Sequence, residues 1–196
     1  MRKETIRKMT VMAMLAALSM VLVWAVHVPL IPVVAFLEYD PADIPILIAA
    51  MAYGPVSGLA LTVVVSIIQG MFISTTGPWG ILMHIIATGT LVLVAGGIYR
   101  LRHTRAGAVL GLVLGTLAMG LVMVPANHFI TPVWMGAPTE VVDSLMLVGI
   151  LPFNLLKAGI NSAVTFVVYK LVSRYLVHGD PFAAKSKKEP ADASDP

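Results

Sequence analysis

Asn154, Lys157 and Asn161 stand at positions i, i+3 and i+7 of an apolar stretch, LPFNLLKAGINSAVTFVVYK, from Leu151 to Lys170. At 100° per residue the three fall within about 60° of one another on a helix. An amide offers a donor and an acceptor together, and an ammonium offers three donors. Such a face can read the carbonyl and N–H edges of a polar small molecule. Lys157 sets the constraint. In a segment apolar enough for a bilayer, a lysine costs a few kcal/mol or more unless it faces a polar cavity or a partner. Asn161 reads more simply as an interhelical hydrogen-bonding residue, and snorkelling to the surface is the competing role for Lys157. A second polar group, Glu38, Tyr39 and Asp40, lies in the segment PLIPVVAFLEYDPAD, residues 29 to 43, which ends on Asp43. These carboxylates suit acceptance from ligand hydroxyls or plain solvation. As neighbouring loop acids beside a proline turn they make a poor acid–base pair.

The elements that must carry these residues are membrane helices. Of 196 residues, 58% are hydrophobic and 12% charged, and the mean hydropathy is +0.91. Uncharged runs of this length belong to membrane proteins. The apolar runs are Met9 to Val28, Ile44 to Tyr53, Val56 to Ile73, Gly80 to Tyr99, Gly107 to Val124, and Leu145 to Val177. The second is short, and Gly54-Pro55 ends it. The last is too long for one straight span, and Pro152 starts or kinks its membrane part. Loops are expected at 29–43, where Asp43 could cap the next helix, and from Pro125 to about Asp143. Asn127 in that second loop could simply cap the end of the fifth run. The fold class is therefore all-α, a polytopic six-helix bundle over residues 1–178. Residues 179–196 have the composition of a disordered cytoplasmic tail.

Charge decides the orientation. Arg2, Lys3, Arg7 and Lys8 precede the first run, Arg100, Arg102 and Arg105 follow the fourth, and Lys170, Arg174, Lys185, Lys187 and Lys188 end or follow the sixth. If the short second run crosses, all of these share one face, which the positive-inside rule makes cytoplasmic together with both termini. Only Lys157 breaks the pattern. A net charge of +3 distributed in this way is a topology signal and argues against a nucleic-acid partner. Glu38, Tyr39, Asp40, Asn127, Asn154 and Lys157 then lie at comparable depth, on or just below the outer surface, as an outward-facing binding constellation.

Enzymatic chemistry finds little support. There is no cysteine, no phosphate-binding glycine loop, no HExxH and no GxSxG elbow. The histidines have no metal-ligand spacing. Ala13 and Ala17 form a small-xxx-small pair on the first run, and Gly107, Gly111 and Gly115 a longer row on the fifth; both let helices approach closely. The glycines suit packing within the chain. For the alanines, internal packing competes with docking to a partner. Trp79 and Trp134 fit an interfacial aromatic belt or a stacking wall. The methionines read as lipid-facing or core filler.

FLEYDPADIPILIAAMAYGPVSG, from Phe36 to Gly58, resembles the first loop and second helix of the riboflavin-binding membrane subunits, or S components, of energy-coupling factor (ECF) transporters. PFNLLKAGINS, from Pro152 to Ser162, resembles the sixth helix of the same subunits, and Ala13 with Ala17 looks like their first-helix docking motif. The likeness runs over essentially the whole chain except the tail. It implies capture of riboflavin from outside as transported ligand, with no bound cofactor. It further implies assembly with a transmembrane coupling subunit and two ATP-binding subunits, which fits a chain without a nucleotide site. Matched by motif, Glu38, Tyr39, Asn127, Asn154 and Lys157 would contact the flavin, while Ala13 and Ala17 would face the coupling subunit. Asp40 joins the site residues through its place in loop one, and the resemblance assigns no role to His27 or His128. An S component for another vitamin, such as thiamine or biotin, and an autonomous proton-coupled carrier are the competing functions.

Overall fold

The computed structural model describes residues 2–73 and 76–172. The tail expected at 179–196, and the basic residues Arg174, Lys185, Lys187 and Lys188, lie outside the described residues. Among the described residues, seven α-helices follow one another: α1 (Arg2–Ala25), α2 (Asp43–Tyr53), α3 (Pro55–Phe72), α4 (Gly77–Leu101), α5 (Arg105–Met135), α6 (Thr139–Leu145) and α7 (Leu151–Val172). A π-helical turn, Met146–Ile150, joins α6 to α7 just ahead of Pro152. Between α1 and α2 lies a small antiparallel hairpin, β1 (Val28–Pro29) with β2 (Glu38–Tyr39), in which Val28 faces Tyr39 and Pro29 faces Glu38. Among the described residues, five helical segments are long and apolar enough to cross a membrane, the α6–α7 stretch counting as one.

α2 is the exception in length and the centre of the fold. Its 11 residues rise only about 16 Å. Every residue from Asp43 to Met51 is buried, because α1, α3, α4 and α7 all pack against it. A helix that is apolar on every side is stable only when enclosed in this way. It ends at Gly54, whose φ of 92° is left-handed and suits glycine, and Pro55 opens α3. The end of α2 is tied to the basic end of the bundle. The Lys8 ammonium lies 5.6 Å from the centre of the Tyr53 ring, Arg100 stands beside Gly54, and Tyr99 meets Tyr169 edge-on at 5.8 Å. The start of α1 and the ends of α2, α4 and α7 therefore share one level. Asp43, at the other end of α2, stands one helix length, about 16 Å, from it. Asp40, Ala42 and Asp43 are all buried, so the segment after β2 enters the bundle before α2 begins.

Three expectations change. α5 does not stop at Val124 but runs on through Pro125 and Pro132 to Met135, so the expected loop at 125–143 is mostly helix and Asn127 caps nothing. Proline is tolerated in membrane helices where side chains and neighbours re-satisfy the freed backbone groups. Within that helix the Asn127 Nδ2 donates to the Met123 carbonyl, one turn back, at 2.8 Å. Asp43 is not a side-chain cap; it is the first residue of α2, and its carboxylate turns into the bundle. The small-residue rows also separate. A Cβ on Gly111 would come within 2.8 Å of the Ala95 carbonyl oxygen, and one on Gly115 within 3.0 Å of Leu91, so the glycines seat α5 on α4. Ala13 and Ala17 are exposed on the outside of α1, which rules out the internal packing considered for them. α1 is the least enclosed of the five long segments.

Candidate functional site

A cavity of about 250 Å³ opens between the β-hairpin and helices α3, α4, α5 and α7. α7 places Asn154 and Lys157 on its wall, one turn apart, as their spacing predicts. The segment after the hairpin brings Asp40 to the same wall. The Lys157 Nζ donates to the Asp40 Oδ2 at 2.7 Å, and both side chains are almost wholly buried. Lysine in an apolar helix is therefore balanced by a partner within the chain. Yet only one of its three N–H donors is used by this contact, and the ammonium borders open volume, so it neither snorkels away nor is sealed.

Asp40 is held from several sides. Its Oδ1 accepts from the Ala42 backbone N–H at 3.0 Å, an Asx-type turn that shapes the entry to α2. Gln69 Nε2 approaches Oδ2 at 3.5 Å. Asn161, two turns after Asn154 on α7, donates to the Asp40 backbone carbonyl at 3.2 Å and to the Asp43 carboxylate at 3.0 Å. The Tyr39 hydroxyl donates to the Asn161 Oδ1 at 3.0 Å. Burial raises the Tyr39 phenol above its ordinary value, and the Asp40 and Asp43 charges push in the same direction, so it remains a neutral donor. Asp43 also accepts from Thr88 Oγ1 at 2.7 Å and His84 Nε2 at 3.1 Å. Asn161 and Tyr39 thus serve as struts behind the cavity and do not line it.

The remaining expected residues divide. Glu38 lines the mouth and pairs with His27, Oε2 to Nε2 at 2.7 Å. Asn127, fully buried, lines the α5 wall, and Thr131 Oγ1 donates to its Oδ1 at 2.8 Å. Asn154 Nδ2 donates to the Ile150 carbonyl at 2.8 Å. The Asn154 oxygen accepts nothing and is not sealed, so it is available to a ligand. His128 does not line the cavity; its Nδ1 pairs with Asp143 at 2.7 Å on the exposed side, clipping α5 to α6. Trp79 and Trp134 both line the cavity, with Phe36 packed 5.8 Å from Trp134. Met83, Met119 and Met123 join them. The wall is therefore aromatic and polarizable, with a few convergent polar groups, the make-up of a site for a flat, partly apolar molecule. Among the described residues, no group of three potential metal ligands occurs.

The family model described as ECF transporter, substrate-specific component, matches residues 7–169. The chain belongs to that family. Curated relatives carry a consistent name. The riboflavin transporter RibU of Staphylococcus aureus is 26% identical over 177 residues, which is 87% of this chain and 92% of that protein. The riboflavin transporter FmnP of Bacillus subtilis is 27% identical over 173 residues, 84% of this chain and 90% of its own length. The riboflavin transporter RibU of Streptococcus thermophilus is 29% identical over 183 residues, covering 87% and 85%. A solved structure of the S component of a bacterial ECF transporter superposes with a TM-score of 0.76 at 26% identity, covering 88% of this chain and 98% of that one. This S component is a multi-pass protein of the bacterial cell membrane.

Sequence reasoning missed Gln69, His84 and Thr88, which face the same polar cluster from α3 and α4. Their signal was present: Gln69 follows Ser66 by three residues on α3, and His84 and Thr88 stand four apart on α4, so each pair shares one face of a largely apolar helix, the pattern that marks functional or buried-network positions in membranes.

Proposed function

We propose that the protein captures riboflavin from outside the cell and serves as the membrane substrate-binding subunit of an ATP-driven importer. The observation that carries this reading is the Lys157 ammonium on the cavity wall with two uncommitted N–H donors, flanked by the open Asn154 oxygen and faced by Trp79 and Trp134. A flavin matches this set. Its ring system is flat and largely apolar, and its polar edge carries carbonyls and an N–H for an ammonium and amides to read. Glu38 at the mouth, Asn127 on α5 and Asp40 behind Lys157 complete the polar surroundings, and Tyr39 acts indirectly by orienting Asn161. Purified protein should quench riboflavin fluorescence saturably, without competition from thiamine or biotin. Absence of saturable quenching ends the reading.

In this reading α2 completes a sixth crossing with the segment that leads into it, residues 1–178 form one membrane domain, and the basic end of the bundle is cytoplasmic with both termini. A reporter fused after Arg105 and found outside the cell would reverse that orientation. The exposed Ala13–Ala17 strip is the docking face for a transmembrane coupling subunit, which links the chain to two ATP-binding subunits. Ala13→Trp should leave flavin binding intact and abolish co-purification of the coupling subunit; unchanged co-purification removes the strip from the interface.

A further inference from the structure

Among the described residues, three basic side chains line the cavity, and each faces a carboxylate. Lys157 Nζ meets Asp40 at 2.7 Å, His84 Nε2 meets Asp43 at 3.1 Å, and His27 Nε2 meets Glu38 at 2.7 Å. Whether or not a histidine is protonated, no base on this wall lacks an acid. The remaining lysines and arginines of the described helices lie at the opposite, basic end of the bundle. The lining also grades in depth. Asn127, Asn154 and Lys157 are buried, whereas the Glu38 side chain at the mouth is 44% exposed.

This arrangement bears on charged ligands. A phosphate monoester carries a charge of about −1.5 to −2 at pH 7. To leave water it needs uncommitted cations or a cluster of free N–H groups. Here every base that could serve is already matched by a carboxylate. The start of α4 borders the cavity at Trp79 and Gly80, but Pro78, the second residue of that helix, has no N–H to add. A neutral hydroxyl meets no such obstacle, because it can donate to a carboxylate.

We propose that Glu38 sets a preference for riboflavin over its terminal phosphate ester, flavin mononucleotide. The proposal rests on the riboflavin reading. A flavin whose carbonyl edge meets Lys157 leaves the free end of its hydroxylated chain nearer the mouth. There a hydroxyl donates to Glu38, and a phosphate is repelled by it. Phosphorylated flavin outside the cell must then be hydrolysed before capture. In that step the oxygen of water bonds to phosphorus, the ester P–O bond breaks, and a proton from the water restores the terminal hydroxyl as inorganic phosphate leaves.

Fluorescence titration of the purified wild type should find flavin mononucleotide weaker than riboflavin by about tenfold or more. Glu38→Lys puts a cation at the mouth and should narrow that gap about tenfold. The gain should shrink as salt is raised, a response of charge and not of room. Glu38→Gln should narrow the gap about threefold, and it carries the test if Glu38→Lys is not recovered folded. Equal wild-type affinities, a gap that the substitutions leave unchanged, or a gain that salt does not touch overturns the proposal while the riboflavin reading stands. Failure of the wild type to bind riboflavin saturably removes that reading, and the proposal with it.

Discussion

Asp40 and Asp43 are three residues apart, both buried, both where the chain turns into α2. Their surroundings differ. Asp43 is enclosed by donors from three side chains, Asn161, His84 and Thr88, and does not line the cavity. Asp40 meets a cation, and both members of that pair border open volume. A buried charge with a full set of fixed donors holds helices in register. A buried charge whose partner keeps free donors beside a cavity is available to respond to a ligand. One turn of chain therefore separates a group that builds the bundle from one that can take part in binding, and residue type alone does not distinguish them.

The largest effect should come from breaking the enclosed member. Asp43→Ala strands three donors and should cost about 3–5 kcal/mol of stability, lowering the thermal midpoint in detergent by about 10 °C or more. A fall no greater than that of an ordinary surface change would erase the distinction between the two acids. Lys157→Ala comes next: flavin affinity should drop about 10–100-fold, the range for a lost charge-assisted hydrogen bond. Stability should drop too, because Asp40 is left buried and unpaired. The double variant Asp40→Asn with Lys157→Met sharpens the contrast. It should recover most of that stability without recovering affinity, measured by melting and fluorescence titration together; recovered affinity would mean that the ion pair serves only the fold. Asn154→Ala should weaken riboflavin about fivefold with a stability change under about 1 kcal/mol, the scale of one neutral hydrogen bond. Smallest is Glu38→Gln. Its pair with His27 is half-exposed, so affinity should move less than about threefold, and a larger change would place Glu38 on the ligand directly.

Much of the site-bearing helix was legible because periodicity and polarity coincide there. Asn154, Lys157 and Asn161 announce a shared face, and the bundle keeps them on it, although Asn161 turns to the loop acids. The partner of Lys157 was not legible. Asp40 is 117 residues away in sequence, and a loop acid looks solvated until the segment that carries it is seen to descend into the bundle. Asp43 misled for a related reason, since an aspartate at a helix start reads as a cap whichever way its carboxylate points. The α5 extension was lost because Pro125 and Pro132 were weighed as helix breakers by the standards of water. Gln69 and His84 each have a polar companion on the same helix face, Ser66 and Thr88, but nothing tied the α3 and α4 faces to a common wall before the helices were assembled.

The brevity of α2 bears on leakage. On the orientation proposed above, with the cavity open above Asp40 and the basic end about 16 Å below Asp43, the apolar turns from Ile44 to Tyr53 are the insulation left at that point between the two aqueous compartments. A membrane voltage would fall across this short plug more steeply than across the full hydrocarbon, and the ammonium of Lys157 rests at its upper edge.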